Sequence, residues 1–431
     1  MKKHLLKRTL LLYWTVSFFL LPFQSFCQEE KKIIPDGTEG QVHEEIDTAS
    51  GKKVKKNWNT YNLGFTTLVI GAGALIDYAA YSQDEEGKKQ MDSANVELKP
   101  GFDIRDSRIV ASGKLNTKRN ITWKAGFMYD GENDDWFLRE TGIMVAVPEL
   151  WGHFFIGRTK EGFSQSKVQL GYAGEIIERH VALDPIPILA DGVKWLGFLP
   201  RQRIFWNIGV FTDWISKNES FSTYSSQFIA RIGCLPVFSE ATKTNLHVAV
   251  NIRMAHPEDD KTRVRSRPEA GNGPYFMDSG EFPTTKSTHL GGEVYYKNGP
   301  WLFGSEFVWH KFDSPEKGNP VFSGGELVAS YMFTGESHPY NSLSNSYGFV
   351  EVERPVFKGG PGAWELVLRF STYEVNGGLI QGGEFRRITP QVNWYLNKHL
   401  RLHLVYGYGI LDRFNRKGST QFFQSRLMIY L

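Results

Sequence analysis

From about residue 60 to the last residue, apolar and polar side chains alternate with a period of two, interrupted by turn signals. Successive side chains on a strand point to opposite faces, so this period commits the chain to β-structure over most of its length. Ile121, Trp123, Ala125, Phe127 and Tyr129 fall on one face, opposite Thr122, Lys124, Gly126, Met128 and Asp130. Leu246, Val248, Val250, Ile252 and Met254 oppose His247, Ala249, Asn251 and Arg253. In the same way Leu400, Leu402, Leu404, Tyr406, Tyr408 and Ile410 oppose Arg401, His403, Val405, Gly407 and Gly409. Strands at about 286–297 and 301–311 are expected to be joined by Asn298-Gly299, a pair suited to a type I′ hairpin. Leu396-Asn397-Lys398-His399 and Leu115–Asn120 are further short turns, whereas Pro257–Pro283 is a long polar connection. One end of the sheet therefore carries tight turns and the other carries loops.

Antiparallel strands with one wholly apolar face fit a soluble sandwich or a membrane barrel. Aromatic placement separates the two. Trp301, Phe307 and Trp309 stand toward strand ends, where a membrane barrel places its interfacial girdles, and the opposite faces carry Lys, Arg, His, Asn and Gly, as a watery lumen requires. Helical spans are excluded: beyond the first thirty residues only Leu63–Tyr81 approaches the needed length, and it contains Asp77. The 372 residues from Thr60 to Leu431 divide into sixteen units of about 23, of which roughly ten cross the bilayer. Fourteen or eighteen strands fit the same arithmetic. The fold class is thus all-β, a transmembrane antiparallel barrel of sixteen strands, large enough for a water-filled lumen. The first two strands, near Leu63–Tyr81 and Phe102–Lys114, have no clear phase, so Asp77, Arg105 and Arg108 have no assigned face.

The first 27 residues read as an export signal: Lys2, Lys3, Lys7 and Arg8 precede an apolar run from Leu10 to Leu21, and Ser25-Phe26-Cys27 offers a cleavage site before Gln28. Residues 28–59 form a polar leader rich in Glu and Lys, and residues 60–431 the barrel. Cleavage removes four of the 50 basic residues and none of the 47 acidic ones, so the remainder is near neutral and gives no argument for a nucleic-acid partner. Only Cys234 then remains, which excludes an intramolecular disulfide or a cysteine metal cluster.

Several short words in the last third resemble the phosphate-selective porin O and P family, trimeric sixteen-stranded porins of the outer membrane. They are Tyr331-Met332-Phe333-Thr334-Gly335-Glu336 followed by Tyr340, then Gly362-Ala363-Trp364-Glu365 with Arg369, Phe370 and Ser371, and Val392-Asn393-Trp394-Tyr395-Leu396-Asn397. Upstream, Gly157, Lys160 and Phe163, then Glu178-Arg179, then Arg267-Pro268-Glu269 are similar to further family words in the same order. Two positions depart: Gly162 stands where proline is usual, and Leu431 where a terminal phenylalanine is usual. The resemblance implies a homotrimer in the outer membrane, an arginine-lined pore and a loop folded inward at the constriction.

No catalytic constellation emerges. His247 and Asn251 share a face but sit four residues apart, roughly 13 Å by strand rise, so they line the lumen rather than form an active site. No cofactor or metal is expected. By phase, Lys124, Arg231, Arg253, Arg369 and Arg401 point inward, and cations in a narrow pore raise the local concentration of anions. Asp130, Glu293, Glu306 and Glu365 share that face, so a balanced field is the alternative. Gly174–Phe198, with Arg179, His180 and Lys194, is the candidate constriction, with an external lid or an ordinary strand pair as the alternatives. The function expected is a passive porin for small anions such as phosphate or other small hydrophilic solutes, embedded in outer-membrane lipid. A non-conducting barrel with a binding or structural role is the alternative.

Overall fold

The computed structural model describes residues 58–130, 135–215 and 224–431, with the backbone alone at Asp130. The export signal and almost all of the polar leader lie outside the described residues, as does the side chain of Asp130. Seventeen strands share one sheet. The three-residue strand Thr60–Asn62 pairs only with the strand that follows it, so sixteen form the wall. These are β1 Thr67–Gln83, β2 Gly101–Lys114, β3 Ile121–Asp130, β4 Asp135–Val147, β5 Gly152–Thr159, β6 Ala190–Leu199, β7 Ile204–Thr212 and β8 Tyr224–Ser239. There follow β9 Thr244–Pro257, β10 Lys286–Asn298, β11 Trp301–Asp313, β12 Val321–Met332, β13 Ala363–Gly377, β14 Ile380–Tyr395, β15 Leu400–Arg413 and β16 Arg416–Tyr430. Each pairs antiparallel with its neighbours, and β1 with β16, from Gly73 opposite Tyr430 to Gln83 opposite Thr420, closes the barrel.

The alternation is realised strand by strand. Phe127, Val250 and Leu404 point outward at 51%, 57% and 52% exposure, while Arg253, His247 and Arg401 on the opposite faces are buried. An outward apolar face of this height needs lipid as its solvent. Aromatic rings gather at the tight-turn end, where Trp301 contacts Tyr331 and Trp364 stacks on Trp394 at 5.0 Å. A second set, including Phe307–Trp309 and Tyr129–Trp136, stands at the loop end.

The hairpin between β10 and β11 differs by one residue from the expectation. Asn298 pairs with Trp301, so the loop is Gly299-Pro300. Gly299 takes a φ of 55°, and the following proline is locked near −65°, which is the sign pattern of a type II′ rather than a type I′ turn.

Two β-bulges explain the unclear phase near the start. Leu75 opposes Asp106 and Ile76 opposes Ile104, so Arg105 is an extra residue and both Arg105 and Asp106 turn inward. A second shift between Ala125 and Phe127 leaves Arg139 and Glu140 together opposite Gly126, both facing the lumen. After the first bulge the phase resets, and Arg108 also faces inward, as does Asp77 on β1.

The interior holds three re-entrant segments. Residues 160–189, between β5 and β6, enter from the loop end and are buried over most of their length. Residues 258–285 form a hairpin, Lys261–Ser266 paired with Met277–Pro283. This connection reads as polar in sequence, yet Val264, Phe276 and Phe282 pack with Phe163, Val181 and Leu183 of the first segment and with Phe312, Phe322 and Phe385 of the wall. From the tight-turn end, residues 333–362 also fold inward, burying Leu343, Tyr347 and Val350. The segments meet where Gln169 Nε2 donates to the Tyr347 carbonyl at 3.4 Å.

Candidate permeation pathway

The first re-entrant segment begins with Lys160 and Glu161, and a short helix, α1 Gln165–Val168, forms its turning point. A row of three carboxylates receives the start of α1. Glu293, Glu306 and Glu326 are direct cross-strand neighbours on β10, β11 and β12. Glu293 accepts from the Gln165 amide at 2.6 Å and Glu306 from the Ser166 amide at 2.8 Å. These amides have no partner within their own helix, and negative charge at a helix N-terminus is favourable. At Gly162, the Asn207 side chain occupies the space a Cβ would need, so the proline usual at this position has no room.

The inward arginines of the wall hold these segments. Arg253 forks onto Glu161 at 2.7 Å and Gln227 at 2.6 Å. Arg231 pairs with Glu293 at 2.6 Å and donates to the Asn345 carbonyl at 2.9 Å, so it ties the segment from the tight-turn end. Arg369 pairs with Glu269 and donates to the Glu178 carbonyl, joining the two segments from the loop end. Arg401 donates to the Tyr172 carbonyl at 3.0 Å and to the Tyr395 hydroxyl at 3.2 Å. Arg231, Arg253, Arg369 and Arg401 do face inward, but at 0–2% exposure they touch no open water. Re-entrant backbone and side chains cover their guanidinium groups, so in this structure they tie the wall to the interior segments.

Lys124 is different. It faces a small cleft between β1–β4 and the re-entrant segments, lined by Arg108, Lys124, Arg139, Glu140, Tyr172 and Phe349, with a cavity volume of about 70 Å³. The constriction is corrected in extent. Arg179 and His180 lie in the inward segment 160–189, but residues 190–198 belong to β6, so Lys194 is a wall residue, buried with its ammonium 5.5 Å from the Phe155 ring. Arg179 is half-buried and donates to the Ser166 and Gln169 carbonyls at 2.6 and 3.4 Å. Burial lowers its proton affinity and Glu178 raises it. His180 is buried against Glu306 at 3.4 Å. Of the acids, Glu293 and Glu306 sit under α1, and Glu365 accepts from His338 at 2.7 Å, Tyr395 at 2.7 Å and Asn393 at 2.8 Å.

Sequence reasoning did not single out Arg139 or Glu140, and it left Arg105 and Arg108 without a face, because a bulge precedes or includes each of them. Around the cleft, Arg108 pairs with Asp106 and Lys124 with Glu140 at 3.3 Å. Arg105 pairs with Glu178 at 3.0 Å, and Arg426 with Asp77 at 2.6 Å and with Glu178 at 2.5 Å. Burial disfavours the Glu178 carboxylate, but Arg105 and Arg426 outweigh it and hold Glu178 well below the usual carboxylate range. Among the described cations that make no ion pair are Arg139, whose Nε lacks any hydrogen-bond partner, and Arg179, which bonds only carbonyls. Arg139 lies close enough to Arg108 and Arg179, and to the Glu140 and Asp106 carboxylates, for all four charges to act on it.

Comparison with known proteins agrees with this architecture. An uncharacterised protein of Caulobacter vibrioides is 27% identical over 175 residues, covering 39% of this chain and 34% of that protein, so the match spans about a third of the relative's length. Among solved structures, the anion-selective porin from Comamonas acidovorans has a TM-score of 0.54 at 10% identity, over 84% of this chain and all of that one. The outer-membrane channel DcaP of Acinetobacter baumannii has a TM-score of 0.53 at 9% identity, over 86% and 99%. The trimer form of OmpT of Vibrio cholerae has a TM-score of 0.53 at 13% identity, over 85% and 99%. At such identities the likeness is one of fold. The family model of phosphate-selective porin O and P matches residues 76–429, nearly the whole barrel. The chain belongs to the phosphate-selective porin O and P family, and its barrel is that of an outer-membrane porin.

Proposed function

We propose that the protein is a passive outer-membrane channel for small hydrophilic anions, phosphate among them, which pass the cleft between β1–β4 and the re-entrant segments. The observation that supports this reading is the uneven pairing of charge there. Of the charged groups at the cleft, Arg108 pairs with Asp106 and Lys124 with Glu140, whereas Arg139 on the cleft and Arg179 on the adjoining inward segment form no ion pair among the described residues. The acids of the opposite wall lie under α1, away from water. Guanidinium groups that form no ion pair, Arg139 on the cleft and Arg179 on the adjoining inward segment, would raise anion occupancy in a narrow, low-dielectric passage without any bond being made. The first 27 residues would be removed on export, and the barrels would assemble as homotrimers, as the trimer form of the Vibrio cholerae protein suggests. Replacing Arg139 and Arg179 with Gln should move the reversal potential in a KCl gradient toward the cation side. An unchanged potential would remove these two residues from the anion path.

One observation favours a second reading, a non-conducting barrel with a binding or structural role: three segments occupy the interior and bury most inward arginines. Conductance separates the two.

A further inference from the structure

The carboxylate row beneath α1 is incompletely balanced. Glu306 and Glu326 face each other directly across β11 and β12, an arrangement that like charges disfavour. Both are buried, at 3% and 4% exposure. Glu306 uses Oε1 for the Ser166 amide at 2.8 Å and the Tyr295 hydroxyl at 2.9 Å, leaving Oε2 toward His180 Nε2 at 3.4 Å. Glu326 uses Oε1 for the Ser166 hydroxyl at 3.3 Å, while its Oε2 has no hydrogen-bond partner. Arg369 stands 3.8 Å from that oxygen, but it is committed to Glu269 and to the Glu178 carbonyl. One ligand atom from each of His180, Glu306 and Glu326 lies within 4.8 Å of the others.

We propose that His180, Glu306 and Glu326 form a binding site for a divalent transition-metal ion of the zinc class. Metal bonds of about 2.1 Å place tetrahedral ligand atoms about 3.4 Å apart, the separation already present between His180 and Glu306. A small rotation of the Glu326 side chain brings its unpartnered oxygen into the same sphere. One imidazole with two carboxylates suits Zn²⁺ and Co²⁺ better than Ca²⁺ or Mg²⁺, which take oxygen ligands. Two buried carboxylates would gain a positive charge closer than Arg369, and water would complete the sphere. His180 belongs to the re-entrant segment and the glutamates to the wall, so the ion would pin one to the other. The site adjoins Arg179, but its presence does not depend on permeation.

The test uses the full chain, purified in detergent, treated with a chelator and titrated with Co²⁺ while the visible spectrum is recorded. One saturable equivalent with intense d–d absorption, displaced by one equivalent of Zn²⁺, is expected. Glu326→Gln and His180→Asn should each weaken binding at least tenfold. His403→Asn, which alters a buried imidazole on β15 instead, should leave it unchanged. Absence of a saturable band in the wild-type protein would overturn the proposal without reference to any variant. So would equal affinity in the Glu326→Gln and His180→Asn proteins, once their heat-modifiable mobility shows a folded barrel.

Discussion

At the scale of single residues, most buried arginines of this barrel bond re-entrant carboxylates or carbonyls, and these bonds hold chain segments rather than solute. Arg369 is the clearest case: it bonds a carboxylate of one re-entrant segment and a carbonyl of another. Breaking a buried pair by removing one partner costs about 3–5 kcal/mol. Arg369→Ala is therefore expected to lower the temperature of heat modification and to increase current noise, and an unchanged melting profile would show that Arg369 anchors nothing. Lys167 gives a pH signature. Burial and the nearby Arg179 charge push its ammonium down to about 7 despite Asp184. The unfolded value is near 10.5, so between about 7 and that value the folded chain binds fewer protons, and stability rises with pH across this window. Resistance of the 160–189 segment to proteolysis should accordingly increase from pH 7 to 9, and Lys167→Met should flatten the dependence. A pH-independent wild type would contradict the assignment.

At the scale of elements, what the sequence makes legible is the regular part. Strands β3, β9 and β15 take the faces that their alternation predicts, because lipid outside and protein inside impose opposite polarities on adjacent residues. The bulges are not legible. One extra residue at Arg105 and one at Arg139–Glu140 reset the phase, and no local composition marks either place. Re-entrant segments are half legible: Pro185, Pro187 and apolar neighbours set 174–189 apart from a solvated loop, whereas 258–285 and 333–362 look polar because their polar groups bond the wall. The family words acquire a physical meaning here. Glu365 from the Gly-Ala-Trp-Glu word meets Asn393 and Tyr395 from the Asn-Trp-Tyr word, and all three converge beside His338. Glu365→Gln would loosen the segment from the tight-turn end while leaving the wall intact. It should raise single-channel conductance and noise without changing heat modification, and an unchanged conductance would show that residues 333–362 do not restrict the passage.

At the scale of the whole molecule, sixteen paired strands closed by β1 and β16 place a wide apolar surface outside and a crowded polar interior inside. The outer surface follows from sequence, since period, turn chemistry and aromatic position act locally. The occupancy of the interior does not, because it depends on contacts between residues far apart in the chain, such as Arg369 with Glu269 or Arg231 with Asn345. The central claim is that this filled interior still leaves a passage that favours anions. Its most direct test is single-channel recording of the purified protein in a planar bilayer under a KCl gradient. Discrete openings in groups of three, with a reversal potential displaced toward the chloride equilibrium value, are the predicted result. Folded, heat-modifiable protein that yields no openings would contradict the channel, and openings with a cation-directed potential would contradict the role given to Arg139 and Arg179.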